Sequence, residues 1–221
     1  MLAQLAVLAL QADRLDALLV RLPGSVWALP GAPAGAEPLE QVARRALADQ
    51  TGVEEIALEQ LYTFDRDGGA AASVAWLGLV AAPRHRLRPG PGVVEVRWFP
   101  LDDLPALAAA DREVLAYAHA RLRAKAAYSP IALQLLPETF TLAQVQAAYE
   151  AVLGHALDTR NFRRDLLAAG VVEAAGRSRG QGPGRPARLY RPAPGDFQVL
   201  ARERRIARAI AGPPATEGES Q

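Results

Sequence analysis

The apolar runs of this chain change character near Tyr128, and that change constrains the fold more than any other feature of the sequence. Before it, β-favouring runs at residues 2–10, 15–22, 58–64, 73–80 and 93–99 are separated by Gln11-Ala12-Asp13-Arg14, Asp67-Gly68-Gly69 and Pro89-Gly90-Pro91-Gly92, the punctuation expected between strands. One amphipathic segment interrupts them. After a Pro/Gly-rich loop at residues 23–35, Pro38 stands at a first helical position, and Leu39, Val42, Ala43, Ala46 and Leu47 recur at helical spacing until Gly52,. A second helix at about residues 111–127 closes this half.

Beyond Ser129 the pattern is one of short helices, with no strand expected before Gly170. Thr141 and Gln144 form a capping box that opens a helix to about Leu153, which Gly154 ends,. Asp158 caps a second helix, Thr159–Ala169, which Gly170 stops,. Val171-Val172-Glu173, a Gly/Arg loop at 176–186 and a strand at Arg188–Arg191 follow, the order of a helix-turn-helix with a β-hairpin wing. The expected organisation is α+β: an α/β domain at 1–127, a winged helix at 128–212 and a disordered tail at 213–221.

Charge divides the chain at the same place. Residues 1–127 carry 13 Lys+Arg against 15 Asp+Glu, whereas residues 128–212 carry 12 against 7. A compact basic segment attached to a mildly acidic domain points to a polyanionic partner for the second half only. The chain has no cysteine, so disulfides, thiolate metal sites and cysteine nucleophiles are excluded, and a reducing cytoplasm is the expected setting. The opening MLAQLAVLAL lacks a basic leader and runs into the polar QADRLD, so it reads as a strand rather than a signal peptide,. No apolar stretch is long enough to span a membrane.

The segment Trp27–Val53 resembles the Nudix hydrolases, whose signature is G-x5-E-x7-R-E-U-x-E-E-x-G-U with U apolar. Gly31, Glu37, Arg45, Leu47, Gly52 and Val53 match its fixed positions. The resemblance implies a Nudix-like α/β/α domain with a mixed sheet. It also implies a divalent metal site held by three glutamates on the helix, but this chain has Ala46, Asp49 and Gln50 there. An alanine has no oxygen, and a neutral amide is a poor ligand for a hard, strongly hydrated cation. The box is therefore read as degenerate, with no catalytic residues, no metal and no cofactor. An active Nudix pyrophosphatase with an accessory nucleic-acid-binding domain is the alternative, with other nearby carboxylates taking over. Ligand binding without cleavage would draw on Trp27, Tyr62 and Phe64 for stacking and on Arg44, Arg45 or Arg66 for phosphates.

On an ideal helix, Phe162, Leu166 and Ala169 fall on one side of 159–169, Arg160 and Arg164 nearly opposite, and Asn161 and Arg163 on the flanks,. A major-groove reader needs that division, because arginine and asparagine form bidentate bonds to guanine and adenine edges. Thr159, at the start of this helix, joins the DNA-binding set. Arg177, Arg179 and Arg185 place positive charge on the glycine-rich wing, suited to phosphates or a minor groove,.

With both halves in view, the chain resembles the Nudix-related transcriptional regulators of NAD metabolism. The most specific motifs are Leu157-Asp158-Thr159-Arg160-Asn161-Phe162-Arg163-Arg164 and Gly184-Arg185-Pro186-Ala187. The resemblance implies a homodimeric repressor of NAD cofactor biosynthesis or related genes. Its partners would be double-stranded operator DNA and ADP-ribose or an NAD-related compound as effector.

Overall fold

A computed structural model describes residues 1–81, 85–177 and 187–194. The chain forms two compact units: Met1–Leu122 with Gln134–Pro137, and Arg123–Leu133 with Glu138–Gln221. The division runs through the last turn of a helix rather than after residue 127. Among the described residues no helix is long and apolar enough to cross a membrane.

In the first unit, strands β1 (Leu2–Gln11) and β2 (Arg14–Arg21) form a hairpin through Ala12-Asp13. Both turn residues have positive φ, 45° and 62°, the left-handed conformation that gives a two-residue turn the twist of its strands. β6 (Ala71–Val80) lies parallel to β1 over eight residue pairs, from Leu2↔Ser73 to Ala9↔Val80. Parallel strands need cover on both faces and read as unbroken apolar runs, as 5–10 and 74–80 do. β5 (Leu58–Arg66) pairs with β6 through a bulge between Gln60 and Tyr62, and β7 (Glu95–Pro100) pairs with β2. Two short strands lie inside the Pro/Gly-rich loop: β3 (Trp27–Ala28) and β4 (Gly31–Pro33). Each is too short to show a period.

Helix α1 (Leu39–Thr51) covers one face of this mixed seven-stranded sheet. Its Val42, Ala43 and Leu47 join Leu5, Val7, Val74, Trp76 and Val80 in a buried cluster. Pro38 stands at the N-cap, one residue earlier than expected, and Gly52 ends the helix in the left-handed region at φ 74°. Helix α2 (Ala109–Ala126) meets the opposite face, where Tyr117 packs on Tyr62 and Phe64 of β5. The helix–sheet–helix layering expected from the Nudix resemblance is present.

The second unit holds α3 (Leu142–Leu153), α4 (Thr159–Ala168) and the hairpin of β8 (Val172–Arg177) with β9 (Arg188–Pro192). The Thr141/Gln144 capping box, the Gly154 stop at φ 78° and the Asp158 cap are all formed. Tyr149 of α3 meets Phe162 of α4 edge to face at 5.4 Å, and burial pushes the Tyr149 hydroxyl far above its usual pKa. A backbone pairing that the sequence does not advertise ties Phe140 to Tyr190 by two N–H···O bonds of 2.9 and 2.7 Å. It extends the wing by a third segment.

Gly31 is where β4 crosses close to β1: a Cβ there would lie 2.5 Å from the Ala3 carbonyl oxygen. Gly31→Ala must push backbone against backbone. It is expected to destabilise the protein by about 1–3 kcal/mol, read as a lower thermal unfolding midpoint. An unchanged midpoint would show that the β4–β1 gap opens freely.

Candidate functional site

The box residues assemble around the start of β4 and the last turns of α1. Gln50 turns its amide back onto the loop: Nε2 donates to the Gly31 carbonyl at 2.9 Å, and Oε1 accepts from the Gly31 N–H at 3.1 Å. One side-chain amide thus pairs with both polar groups of one residue, as a neighbouring strand would. Only a group with both a donor and an acceptor can do this. Arg45 forms a two-point pair with Glu37, and the guanidinium bonded to it holds the Glu37 carboxyl below its usual range. Ala46 is buried, while Asp49 is exposed.

A strap from the loop before β7 closes over the end of α1. Arg88 N–H donates to Thr51 O at 2.9 Å and Gly90 N–H approaches Gln50 O at 3.4 Å, satisfying carbonyls that a helix end leaves open,. Gly90 passes so near the Asp49 carbonyl oxygen that a Cβ would sit 1.5 Å from it.

The divalent ions that the Nudix fold implies do not fit this box. Position 46 offers a buried methyl group, and the amide at 50 spends both ends on Gly31. Asp49 is the one carboxylate left among the three positions. Among the described residues no three His, Cys, Asp or Glu side chains converge as a metal site.

The six residues singled out for ligand binding are not brought together. Arg44 and Arg45 lie on α1, on one side of the sheet. Trp27, Tyr62, Phe64 and Arg66 belong to the α2 side. Arg44 bonds Glu40 at 2.7 and 3.0 Å and the Ile56 carbonyl at 2.8 Å, holding the loop after its helix. Arg66 donates to Gln4 Oε1 at 2.6 Å and twice to Asp111 Oδ1 at 3.1 Å, while Asp111 Oδ2 accepts from Leu29 N–H. Since Gln4 and Asp111 are buried, Arg66 serves as a tie between sheet and α2. Trp27 packs edge-on against Phe99 at 4.6 Å with Arg21 over its ring, and Phe64 is buried. Tyr62 is 59% exposed and stacks on Tyr117. Tyr117 went unnoticed in the sequence, where a lone tyrosine within a helix carries no signal. On the same face, Gln4 Nε2 and Ser73 Oγ are buried without a hydrogen-bond partner.

The second unit presents α4 as expected. Phe162 and Leu166 are buried, and Arg160, Asn161 and Arg164 are exposed. Arg164 bonds Asp165 at 2.7 Å, and Arg163 is half-buried with an unpartnered Nε. The Thr159 hydroxyl accepts a bond from Gln146 of α3 at 3.0 Å. Arg177 at the end of β8 pairs in register with Arg188 at the start of β9, both exposed. Arg188 was not among the sequence candidates, because only the register sets two like charges side by side. Arg179 and Arg185 lie outside the described residues. Among those described, Arg160, Arg177 and Arg188 form no ion pair, whereas Arg44, Arg45 and Arg66 all do.

Gln50→Glu keeps the shape of the side chain but removes the donor and sets an anion against the Gly31 carbonyl. It is expected to cost about 1–3 kcal/mol at neutral pH. The deficit should shrink near about pH 4, where protonation of the carboxyl restores a donor. Thermal melts of wild type and variant at both pH values measure this; an equal midpoint at neutral pH would show that the amide pairing contributes nothing.

Two family models match the chain: the NUDIX domain over residues 2–118 and the NrtR DNA-binding winged helix domain over residues 132–191. The ADPR responsive transcriptional repressor NtrR of Acinetobacter baylyi is 32% identical over 213 residues, a match spanning 89% of this chain and 83% of that protein. Among solved structures, Shewanella oneidensis NrtR complexed with a 27mer DNA is similar at TM-score 0.76 and 29% identity, over 87% of this chain and 93% of that one. The NUDIX domain of that regulator complexed with ADP ribose is similar at TM-score 0.50 and 26% identity, over 55% and 86%. With family models matching both of its domains and a relative 32% identical over most of both chains, this chain belongs to the NrtR family of transcriptional regulators.

Proposed function

We propose that the chain is a cytoplasmic, homodimeric repressor that binds operator DNA through α4 and the wing, and that ADP-ribose or a related NAD-derived nucleotide, bound by the Nudix domain, is its effector. The genes it controls serve NAD cofactor biosynthesis or a related pathway. The observation that carries this reading is α4: a buried Phe162/Leu166 stripe backs an exposed row of Arg160, Asn161 and Arg164. Arg160 and Asn161 are the base readers. Arg164 shares its guanidinium with Asp165, and Arg177 and Arg188 meet phosphates, with Arg179 and Arg185 of the same wing.

The Nudix domain binds without cleaving. The Gln50–Gly31 pairing and the buried Ala46 support this, since they leave no ligand set for the metals that the hydrolases use. The effector is assigned to the α2 face of the sheet, where the Tyr62–Tyr117 stack is exposed and two buried polar groups lack partners.

Gel-shift assays on the chain's own upstream region, with and without ADP-ribose, test the whole reading. Arg160→Ala should cost roughly 1–3 kcal/mol on the operator and much less on random DNA. Arg188→Ala should weaken both alike and lower the salt slope by about one. Equal losses on both DNAs with identical salt slopes would overturn the division of roles. Turnover of ADP-ribose with Mg²⁺ at about one per second or faster would overturn the non-enzymatic assignment.

A further inference from the structure

Two polar side chains on α3 converge on the turn that leads into α4. Glu150 acts on that turn from both ends. Its backbone carbonyl accepts from Gly154 N–H at 2.8 Å, and its Oε1 accepts from Leu157 N–H at 2.8 Å. Gln146, one helical turn earlier and buried, sends Nε2 to Glu150 Oε1 at 2.9 Å, to Leu157 O at 3.2 Å and to Thr159 Oγ1 at 3.0 Å. The last of these bonds reaches the first residue of α4.

We infer that Gln146 and Glu150 are positioning residues for DNA reading: a polar clamp that sets the start of α4, and so aims Arg160 and Asn161. This rests on the base-reading role proposed for α4. The apolar contacts of α4, Phe162 against Tyr149 and the buried Leu166, hold its middle and far end, but such contacts are non-directional and tolerate sliding. Hydrogen bonds fix distance and angle, and here they act at the end that carries the readers. Glu150 also places a carboxylate within a motif whose partner is a polyanion, where its charge works against binding. Its two accepted N–H bonds account for its presence.

That reasoning separates the oxygen of Glu150 from its charge. Glu150→Gln keeps the acceptor and removes the charge, whereas Glu150→Ala removes both. The operator-to-random affinity ratio should be retained in Glu150→Gln and fall about tenfold or more in Glu150→Ala, the size of a lost charge-assisted bond. Gln146→Met, close in volume but without donors, should lower the ratio similarly and provides a second variant if Glu150→Ala folds poorly. Hydrogen exchange, read without DNA, should show the Leu157 amide opening faster in Glu150→Ala than in wild type and Glu150→Gln. If Ala and Gln at 150 give equal ratios and equal Leu157 exchange, the clamp is refuted and only charge matters. If wild type itself does not discriminate its operator, the proposed function fails. The exchange result then decides the clamp alone: fast opening in Glu150→Ala upholds it, and equal rates refute it.

Discussion

Eight consecutive pairings between β1 and β6 govern the first unit. A parallel pair cannot be closed by a tight turn and cannot leave a face in water. The chain between its strands must cross over, and both faces must be covered. The crossover carries α1 to one face, and α2 supplies the other. The apolar character of residues 5–9 on both sides of the strand follows, and β4 passes so close to β1 that a Cβ at residue 31 is crowded. The positions of Gln50 and Arg66 relative to the sheet are consequences of the same pairing.

Arginine does two jobs in this protein, and partners distinguish them. Arg44, Arg45 and Arg66 each hold a carboxylate, and Arg44 and Arg66 also reach a neutral oxygen; these planar donors bridge loops and layers. Among the described residues, Arg160, Arg177 and Arg188 form no ion pair. A cation left without a counter-charge on an exposed surface is solvated and available. In the Arg177↔Arg188 pair, facing like charges also weaken the hairpin. Neutralisation by a phosphate removes that repulsion as well as adding an attraction.

Elements fixed by local chemistry were legible in the sequence. The Thr141/Gln144 box, the Asp158 cap, the glycine stops at 52 and 154 and the Ala12-Asp13 turn all act within a few residues, so the chain spells them out. The box frame at Gly31 to Val53 and the arginine face of α4 were legible for the same reason. Long-range placements were hidden. Nothing near Phe140 announces its pairing with Tyr190, fifty residues on, and two- or three-residue strands such as β3 and β4 have no period. Arg44, Arg45 and Arg66 were alternatives for phosphates, and which side of the sheet each lies on is decided only by topology, which puts Arg44 and Arg66 on opposite faces. Gln50 could be read as the loss of a carboxylate. That its amide had taken up a pairing with Gly31 depended on the path of β4.

The Gln50–Gly31 pairing also bears on descent. A lineage that lost its metal ligands could in principle regain them by reversing single changes, provided each step were neutral. Here the first step back at position 50 sacrifices a fold contact and gains no chemistry while Ala46 lacks an oxygen. Starting instead at position 46 buries a charge without a cation to neutralise it. Neither change alone rebuilds a metal site, so positions 46 and 50 would have to change together.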